Sequence, residues 1–206
     1  MKIRQITADE RADVSFPIQE YAFRASPADE QLRQRRRGRQ EYYRGNVTLV
    51  AEEDGVAMAD ASAIPMRQNV RGTVYPMAGV AGVATLPLAR RRGFARALVG
   101  QLLGQMRDTG HVVSALYPFR PSFYERFGFV GLPRTRMVRF APEGVAGLLR
   151  AGLPGEVTCE PAADGYPAYR EFTQRLLAEQ HGFCVHPDYM AVQLRDADDR
   201  WLVMAS

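Results

Sequence analysis

The stretch "GVATLPLARRRGFARALVGQLLGQM" (residues 82–106) decides the fold, because it links a strand of small residues to an amphipathic helix through an arginine-rich turn. Its apolar residues recur with the helical period and form one stripe: Ala95, Leu98, Val99, Leu102, Leu103 and Met106. Arg90, Arg91 and Arg92 therefore crowd a helix N-terminus, where the helix dipole disfavours cations. That crowding becomes favourable when an external anion occupies the end of the helix.

The turn itself has the composition of an anion cradle. A strand, a tight turn with glycine and a helix N-terminus aim backbone N–H groups at one point. Gly93 lets the turn approach a ligand without a Cβ, and Ala95 keeps a nearby position small. The predicted ligand of this turn is a pyrophosphate group. The P-loop and the three-glycine dinucleotide fingerprint are both absent. Taken alone, the motif is equally compatible with a surface arginine run.

The residues before this stretch predict a strand, two helices and an antiparallel meander. "KIRQI" alternates like a strand, and Thr7 with Glu10 predicts a capped helix running to Phe23. A second helix is expected over residues 29–43. Asp54 and Gly55 then predict a tight hairpin between two β-rich runs. A further strand, "VYPMAGVAGVATL", is rich in small residues that admit close approach of another backbone or a ligand.

The residues after the helix complete the predicted fold. Gly110 ends the helix, and "HVVSALYP" follows as a buried strand, which gives a β-α-β unit with parallel strands. "PSFYERFGF" predicts a short helix that stops at Gly128, and the alternation in "RTRMVRF" predicts another strand, with Met137 and Val138 on opposite faces. The fold class is α/β (α+β), a mixed central sheet with flanking helices.

A faint internal repeat suggests a second, partial copy of this fold. "IRQITADERADVSFPIQEYAF" and "VTCEPAADGYPAYREFTQRLL" share a strand, an Ala-Asp turn and a helix, although the likeness is also compatible with chance. We therefore predict a first domain at 1–141, a linker at 142–155, and the truncated start of a second domain at 156–206. That segment is expected to hold a helix over residues 166–180 and a lone terminal strand, and to pack poorly or lean on the first domain.

Composition describes an ordinary globular chain with a mild basic excess. The 206 residues carry a net charge of +4, and the hydrophobic fraction is 46%. No segment reaches the roughly 20 apolar residues of a membrane span, and the N-terminus has no signal-peptide core. We expect a cytoplasmic protein with no membrane partner. The cluster "LRQRRRGRQEYYRG" raises nucleic-acid binding as an alternative, but no stacking platform or helix-turn-helix pattern accompanies it, so no nucleic-acid partner is expected.

The cysteines and histidines predict no metal site. Cys159 and Cys184 form no ligand spacing with His111, His181 or His186. We interpret them as unreactive thiols in a reducing compartment.

Two motifs together resemble the Gcn5-related N-acetyltransferase (GNAT) family. Arg90-x-x-Gly93-x-Ala95 is similar to the loop that binds the coenzyme A pyrophosphate in that family, and the order of strands and helices over the first 140 residues also matches. The later "FYERFGF" resembles the enhanced-intracellular-survival (Eis-type) branch, in which a second acetyltransferase domain and a sterol-carrier-like domain follow the first. The resemblance implies the GNAT acyl-CoA N-acyltransferase fold, followed here by a partial second GNAT-like segment.

The resemblance also implies a reaction and a set of residues. Acetyl-CoA would serve as co-substrate, without a metal, for transfer of acetyl to a primary amine of an aminoglycoside-like molecule or a lysine. Strand residues would pair with the pantetheine arm, turn residues would hold the pyrophosphate, and two residues would flank the thiol. In that order these residues are Val83, Ala84 and Thr85; Arg90, Arg91, Arg92, Gly93, Phe94, Ala95 and Arg96; and Phe119 and Arg120. Some relatives have Ser and Glu at the last two positions.

Tyr124 matches the family's general acid, which protonates the departing thiolate. A phenol with a pKa near 10 gives a proton to a thiolate near 8.5 only at a cost of roughly 2 kcal/mol. The site must therefore lower the pKa of Tyr124 or share the proton in the transition state. The alternative interpretation is an aromatic side chain packed under the sheet.

The general base and the assembly stay open at this level. In Eis-type proteins the base is the carboxylate at the end of the sterol-carrier-like domain, which this sequence does not contain. Glu52 or Glu53, acting through a water, is the alternative. A homo-oligomer is possible for a full-length chain. The rival functions are transfer of a different acyl group, an acyl-CoA sensor without catalysis, and an arginine-rich nucleic-acid-binding module using residues 33–39.

Overall fold

The computed structural model describes residues 1–132, 137–152, 154–195 and 199–205. The strands described are β1 (Lys2–Ile6), β2 (Val47–Glu53), β3 (Val56–Val70), β4 (Thr73–Thr85), β5 (Val113–Ala115), β6 (Val157–Pro161), β7 (Cys184–Val185) and β8 (Trp201–Ala205). The helices described are α1 (Arg11–Val14), α2 (Phe16–Phe23), α3 (Glu30–Arg37), α4 (Gln40–Tyr43), α5 (Phe94–Asp108), α6 (Pro121–Glu125), α7 (Ala146–Arg150), α8 (Ala162–Glu179) and α9 (Val192–Arg195).

The main sheet has the strand order β1-β2-β3-β4-β5. The first four strands are antiparallel neighbours, whereas β5 runs parallel to β4, with residues 113–115 beside residues 77–79. Helix α5 lies between β4 and β5 in the chain, so the predicted β-α-β unit and the mixed sheet are confirmed. Strand β5 is shorter than predicted and only half-buried.

Two tight turns join the long strands. Asp54 and Gly55 both have positive φ, 52° and 79°, as the predicted two-residue hairpin requires. Arg71 and Gly72 repeat that geometry between β3 and β4, with φ of 53° and 87°. The second turn was not predicted, because arginine is an unusual residue for the left-handed conformation.

The core lies between α5 and one face of the sheet. Leu98, Leu102 and Met106 of the predicted stripe are buried against small residues of β3, chiefly Ala59, Ala61 and Ala63. Alanines leave room for the helix to approach the sheet closely, so the bulky side chains of α5 fill the space between the layers. At the other end of α5, Gly110 adopts φ 85° and ends the helix as predicted.

The predicted first helix is divided in two. Thr7 and Glu10 form the expected capping box: the Thr7 N–H donates to Glu10 Oε2 at 2.9 Å, and the Glu10 N–H donates to Thr7 Oγ1 at 3.3 Å. The helix is then interrupted at Ser15, because Pro17 has no N–H and its ring disfavours a continuous turn. The second predicted helix, capped by Asp29, is likewise divided into α3 and α4 around Gly38.

The strand predicted from "RTRMVRF" is wrong over the part that the structure describes. Residues 134–136 lie outside the described residues, and residues 137–140 form no strand. Met137 and Val138 are both largely exposed rather than on opposite faces of a sheet. Alternation alone does not make a strand, since a strand also needs a partner edge.

The C-terminal segment forms a small sheet of its own and also leans on the main one. Strand β8 pairs along its length with β6, so the prediction of a lone terminal strand is wrong. A helix was predicted over residues 166–180, and α8 begins earlier, at Ala162, and ends one residue sooner, at Glu179. The buried Asn69 of β3 donates through Nδ2 to the carbonyls of Leu177 and Ala178, both at 2.9 Å. These bonds fix the end of α8 to β3.

A buried polar layer lies on the sheet face opposite α5. Asp60 of β3 is fully buried, and its Oδ2 accepts hydrogen bonds from Ser15 Oγ and Gln19 Nε2, each at 2.6 Å. Arg11 donates to Thr48 Oγ1 at 2.5 Å and to Ser62 Oγ at 2.8 Å in the same layer. Burial raises the pKa of Asp60 to about 6 against the opposing effect of these hydrogen bonds.

The raised pKa of Asp60 predicts a pH-dependent stability. The folded chain holds this proton more tightly than the unfolded chain, so the contribution of Asp60 to stability falls as pH rises from about 4 to about 6. We expect Asp60→Asn to remove that dependence. Relative to the parent, the variant should gain roughly 3 kcal/mol in unfolding free energy between pH 3.5 and pH 7.5. Urea titrations at the two pH values measure it; a pH-independent difference would contradict the prediction.

Candidate active site

Strands β4 and β5 separate after a short pairing and leave one edge of β4 open. The two strands pair only at residues 77–79 of β4, which continues to Thr85. On its other side β4 contains a bulge: Ser62 pairs with Ala81 but Asp60 pairs with Ala84, so β4 has one extra residue. Gly82 lies in the bulge with φ 64°. The sequence signal for this feature was a glycine within a strand pattern.

The predicted site residues of β4 lie at this bulge. Val83 packs partly against the core, Ala84 is buried, and Thr85 is half-buried. Their side chains therefore belong mainly to the packing of the sheet. What the strand can offer a ligand here is backbone N–H and C=O groups along an unpaired edge.

The turn before α5 presents backbone donors to open space. Arg91 and Gly93 have positive φ, 61° and 88°, and no side chain caps the helix at Gly93. The Ala97 N–H donates to the Gly93 carbonyl at 3.0 Å, so the three preceding N–H groups of α5 have no intrahelical acceptor. A Cβ placed on Gly93 would meet no described atom within 4 Å. This exposed turn, with its unpaired backbone N–H donors, fits a phosphate group.

The three arginines of the turn have different surroundings. Arg92 makes a two-pronged ion pair with Glu53, at 2.8 Å and 2.5 Å, and this pairing lowers the pKa of Glu53. The Arg90 guanidinium lies 5.5 Å from the centre of the Tyr21 ring. Arg91 is exposed. The structure thus places the predicted residues together, with part of the Arg92 charge offset by Glu53.

The other residues predicted to hold the pyrophosphate also differ in their burial. Phe94 is buried in the core and anchors the turn, so it can offer a ligand only its backbone N–H. Ala95 is half-buried, and Arg96 extends into solvent.

Tyr124 is packed in an aromatic cluster on α6. Its ring is 4% exposed and contacts the rings of Phe119, Phe123 and Phe129, with centroids 5.6, 4.9 and 6.0 Å away. Its hydroxyl makes no hydrogen bond with any residue that the structure describes. Burial raises the pKa of Tyr124 above its ordinary value. The phenol therefore stays protonated at neutral pH, and lowering of its pKa, one of the two predicted routes to proton transfer, is not seen.

Phe119 and Arg120 form the exposed approach to this cluster. Phe119 is 69% exposed and leans on Phe123, with ring centroids 5.4 Å apart. Arg120 precedes α6 and donates through Nε to Ser122 Oγ at 3.1 Å. Neither side chain is fixed by burial.

The carboxylates considered as bases are both paired with arginine. Glu52 accepts from Arg4 Nε at 2.7 Å, and Glu53 is held by Arg92. Pairing with Arg92 stabilises the ionised form of Glu53 and makes this carboxylate a weaker base. The sequence reasoning did not single out Asp60, the buried carboxyl that pairs opposite the β4 bulge. The one feature of the sequence that could have pointed to Asp60 is that an aspartate stands within an alanine-rich strand.

Metal and membrane features are not found in the part of the chain that the structure describes. No three His, Cys, Asp or Glu side chains of these residues come together to hold a metal ion. Cys159 is exposed and Cys184 is half-buried, both as free thiols. No described helix combines the length and apolar character needed to cross a membrane.

Three known proteins are similar to this chain in sequence or in structure. N-acetyltransferase Eis of Mycobacterium tuberculosis is 33% identical over 94 residues, which are 40% of this chain and 23% of Eis. A conserved protein of Enterococcus faecalis, described as a probable N-acyltransferase, superposes with a TM-score of 0.72 at 19% identity over 99% of this chain and 51% of its own. Eis1 of Mycobacterium abscessus gives a TM-score of 0.68 at 21% identity, again over 99% and 51%.

The solved relatives extend well beyond the matched region, since this chain spans about half the length of each. Residues 2–131 match the family described as "Acetyltransferase (GNAT) domain". These residues are most of the chain and contain the bulged strand, the arginine turn and the α6 aromatic cluster. The chain therefore belongs to the GNAT acetyltransferase family.

Proposed function

We propose that the chain is an N-acetyltransferase that moves acetyl from acetyl-CoA to a primary amine. The observation that carries this proposal is one juxtaposition: the open, bulged edge of β4 leads directly into the uncapped, positive-φ turn at Gly93. An extended amide-bearing arm followed by a pyrophosphate is the type of ligand that such a surface complements.

The binding residues of this proposal are those that the family resemblance implies. Backbone groups of Val83, Ala84 and Thr85 pair with the pantetheine arm. The turn holds the pyrophosphate through the backbone from Gly93 to Arg96 and through the charges of Arg90, Arg91, Arg92 and Arg96. Phe119 and Arg120 lie near the thiol end. Acetyl-CoA supplies the acetyl group as an activated thioester.

The reaction needs two proton movements. The neutral amine forms a C–N bond to the acetyl carbon, the C–S bond breaks, and the nitrogen gives up one proton to a base or to water. Tyr124 gives its phenolic proton to the departing sulfur and is later reprotonated from solvent. Its raised pKa keeps the proton in place until sulfur charge develops, so the proton must be shared in the transition state. The acceptor class is an aminoglycoside-like amine or a lysine.

The domain division is part of the proposal. We assign residues 1–141 to the acetyltransferase domain, 142–155 to a linker and 156–206 to a second GNAT-like segment. Support comes from the pairing pattern: β6 and β8 are antiparallel partners separated by α8, β7 and α9, and β1 and β2 are antiparallel partners separated by helices α1 to α4.

A binding module without catalysis is the second candidate, favoured by the absence of a free carboxylate base at the described edge of β4. Nucleic-acid binding is less favoured, because acidic side chains already pair with α3. Arg37 lies 3.3 Å from Asp13, and Arg33 lies 3.7 Å from Glu20.

Calorimetry and mass spectrometry together test the proposal. We expect acetyl-CoA to bind with about 1:1 stoichiometry and a mass gain of one acetyl group on kanamycin or on Nα-acetyl-lysine amide. Binding of acetyl-CoA without acetylation of any amine would favour the sensor. Salt-sensitive binding to duplex DNA without acetyl-CoA binding would favour the nucleic-acid module.

A further inference from the structure

The two faces of the sheet at the β4 bulge differ in polarity. On one face α5 fills the space with Phe94 and Leu98, packed on alanines of β3. On the other face lies α2, whose half-buried Gln19 reaches the bulge: its Nε2 is only 2.6 Å from the position of a Cβ on Gly82. The α2 side of the bulge is therefore the polar side, and the α5 side is apolar.

The orientation of the Gln19 amide is fixed by its partners. Its Nε2 lies 2.6 Å from Asp60 Oδ2 and 3.1 Å from Ser15 Oγ. The Ser15 hydroxyl already donates its proton to Asp60 Oδ2, so Ser15 can only accept from Gln19. Both neighbours thus require the NH₂ end of the amide. The carbonyl oxygen Oε1 is turned away from them and accepts no hydrogen bond from any described residue.

Asp60 is fully buried although only one of its two carboxyl oxygens has hydrogen-bond partners among the described residues. It is 0% exposed, and its second oxygen, Oδ1, has no partner among the described residues. A buried carboxyl with an unpartnered oxygen is costly. That cost is explained when the carboxylate holds a neighbouring group in one orientation.

We propose that Gln19 Oε1 accepts an N–H hydrogen bond from the acceptor amine at the β4 bulge, and that Asp60 is a positioning residue that orients the Gln19 amide for this contact. This inference rests on the proposed acetyl transfer. It goes further by naming a side chain that contacts the acceptor amine. A neutral amine retains N–H donors while its lone pair attacks, so a carbonyl acceptor holds it without removing its nucleophilicity.

The protonation of Asp60 links this contact to pH. The charged and titratable groups nearest it are Arg11 of α1, which bonds Thr48 and Ser62, and Tyr43 of α4, whose ring lies 4.4 Å from the Arg11 guanidinium. Arg36 of α3 donates to the Tyr43 hydroxyl at 3.0 Å. The neighbouring residue on β4 is Ala84, which carries no charge. Protonation of Asp60 weakens its bonds to Ser15 and Gln19, because hydrogen bonds to a charged acceptor are about twice as strong.

Steady-state kinetics of three variants test the proposal, with kanamycin or Nα-acetyl-lysine amide as acceptor. Gln19→Met keeps the length of the side chain and should raise the amine KM about tenfold, with acetyl-CoA affinity unchanged. Asp60→Asn should raise the amine KM severalfold and remove an acid limb near pH 6 from the pH profile of kcat/KM for the amine. Thr48→Val is the matched control, since Thr48 is 3% exposed in the same layer and its described hydrogen bonds go to Arg11 and Ser62 rather than to Gln19; it should keep the parental KM and the acid limb.

The outcomes separate this inference from the function on which it rests. An active parent whose Gln19→Met variant keeps the parental amine KM overturns the contact. An acid limb that persists in Asp60→Asn overturns the positioning role. A parent that binds no acetyl-CoA, or that acetylates neither amine, contradicts the proposed transferase and the inference with it.

Discussion

Replacing Gly93 by valine should weaken acetyl-CoA binding by about 100-fold or more. The φ of 88° and the open space around Gly93 let a ligand reach the N–H groups at the start of α5. A branched side chain occupies that space and keeps a pyrophosphate from them. Two hydrogen bonds to a charged group, worth about 1.5–3 kcal/mol each, account for an effect of this size.

The structure supplies a matched control at the opposite end of the same helix. Gly110 has φ 85° and also has no described atom within 4 Å of a Cβ. Gly110→Val therefore carries the same backbone strain, about 1–2 kcal/mol, without touching the cradle. Calorimetric titration with acetyl-CoA should separate the two variants, while thermal unfolding should not. Equal acetyl-CoA affinities in the two variants would remove the Gly93 turn from the binding site.

Replacing Tyr124 by phenylalanine should lower kcat by about 10²–10⁴ and leave acetyl-CoA affinity nearly unchanged. The ring contacts with Phe119, Phe123 and Phe129 survive the change, because only the hydroxyl is lost. That hydroxyl bonds to no residue that the structure describes, so the loss of stability should be small. Removing the proton leaves the sulfur to depart as an unprotonated thiolate.

Tyr42→Phe is the control for the loss of a phenol hydroxyl. Burial raises the pKa of Tyr42 as it does that of Tyr124, and Tyr42 packs edge-on against Tyr43, with ring centroids 4.9 Å apart. It lies outside the proposed site, so kcat should keep its parental value. Both variants should be assayed in the full-length protein. The assay conditions should first be shown to make the acetyl-transfer step, rather than product release, limit kcat. Parental turnover in Tyr124→Phe would identify Tyr124 as a packing residue only.

The sequence alone predicted the features that rest on residues close together in the chain. The stripe of α5, the Thr7 capping box and the Asp54 hairpin involve partners no more than a few residues apart, so periodicity and turn chemistry were sufficient. The arginine turn was found for the same reason, since strand end, glycine and helix start are contiguous. Predictions failed where a distant partner was needed: "RTRMVRF" has the alternation of a strand but no partner over residues 137–140, and β8 pairs with β6.

The tertiary structure alone decided which distant polar groups meet. Asp60 meets Ser15 and Gln19 across 45 and 41 residues of chain, and Arg92 meets Glu53 across 39. No local pattern encodes such contacts, because they depend on the register of β3 against β4 and on where α2 crosses the sheet. The register places the bulge opposite Asp60, and burial then shifts the pKa of its carboxyl. The arginine turn that we propose as an anion site is formed by contiguous residues, whereas the polar cluster on the α2 side of the bulge exists only once the chain is folded.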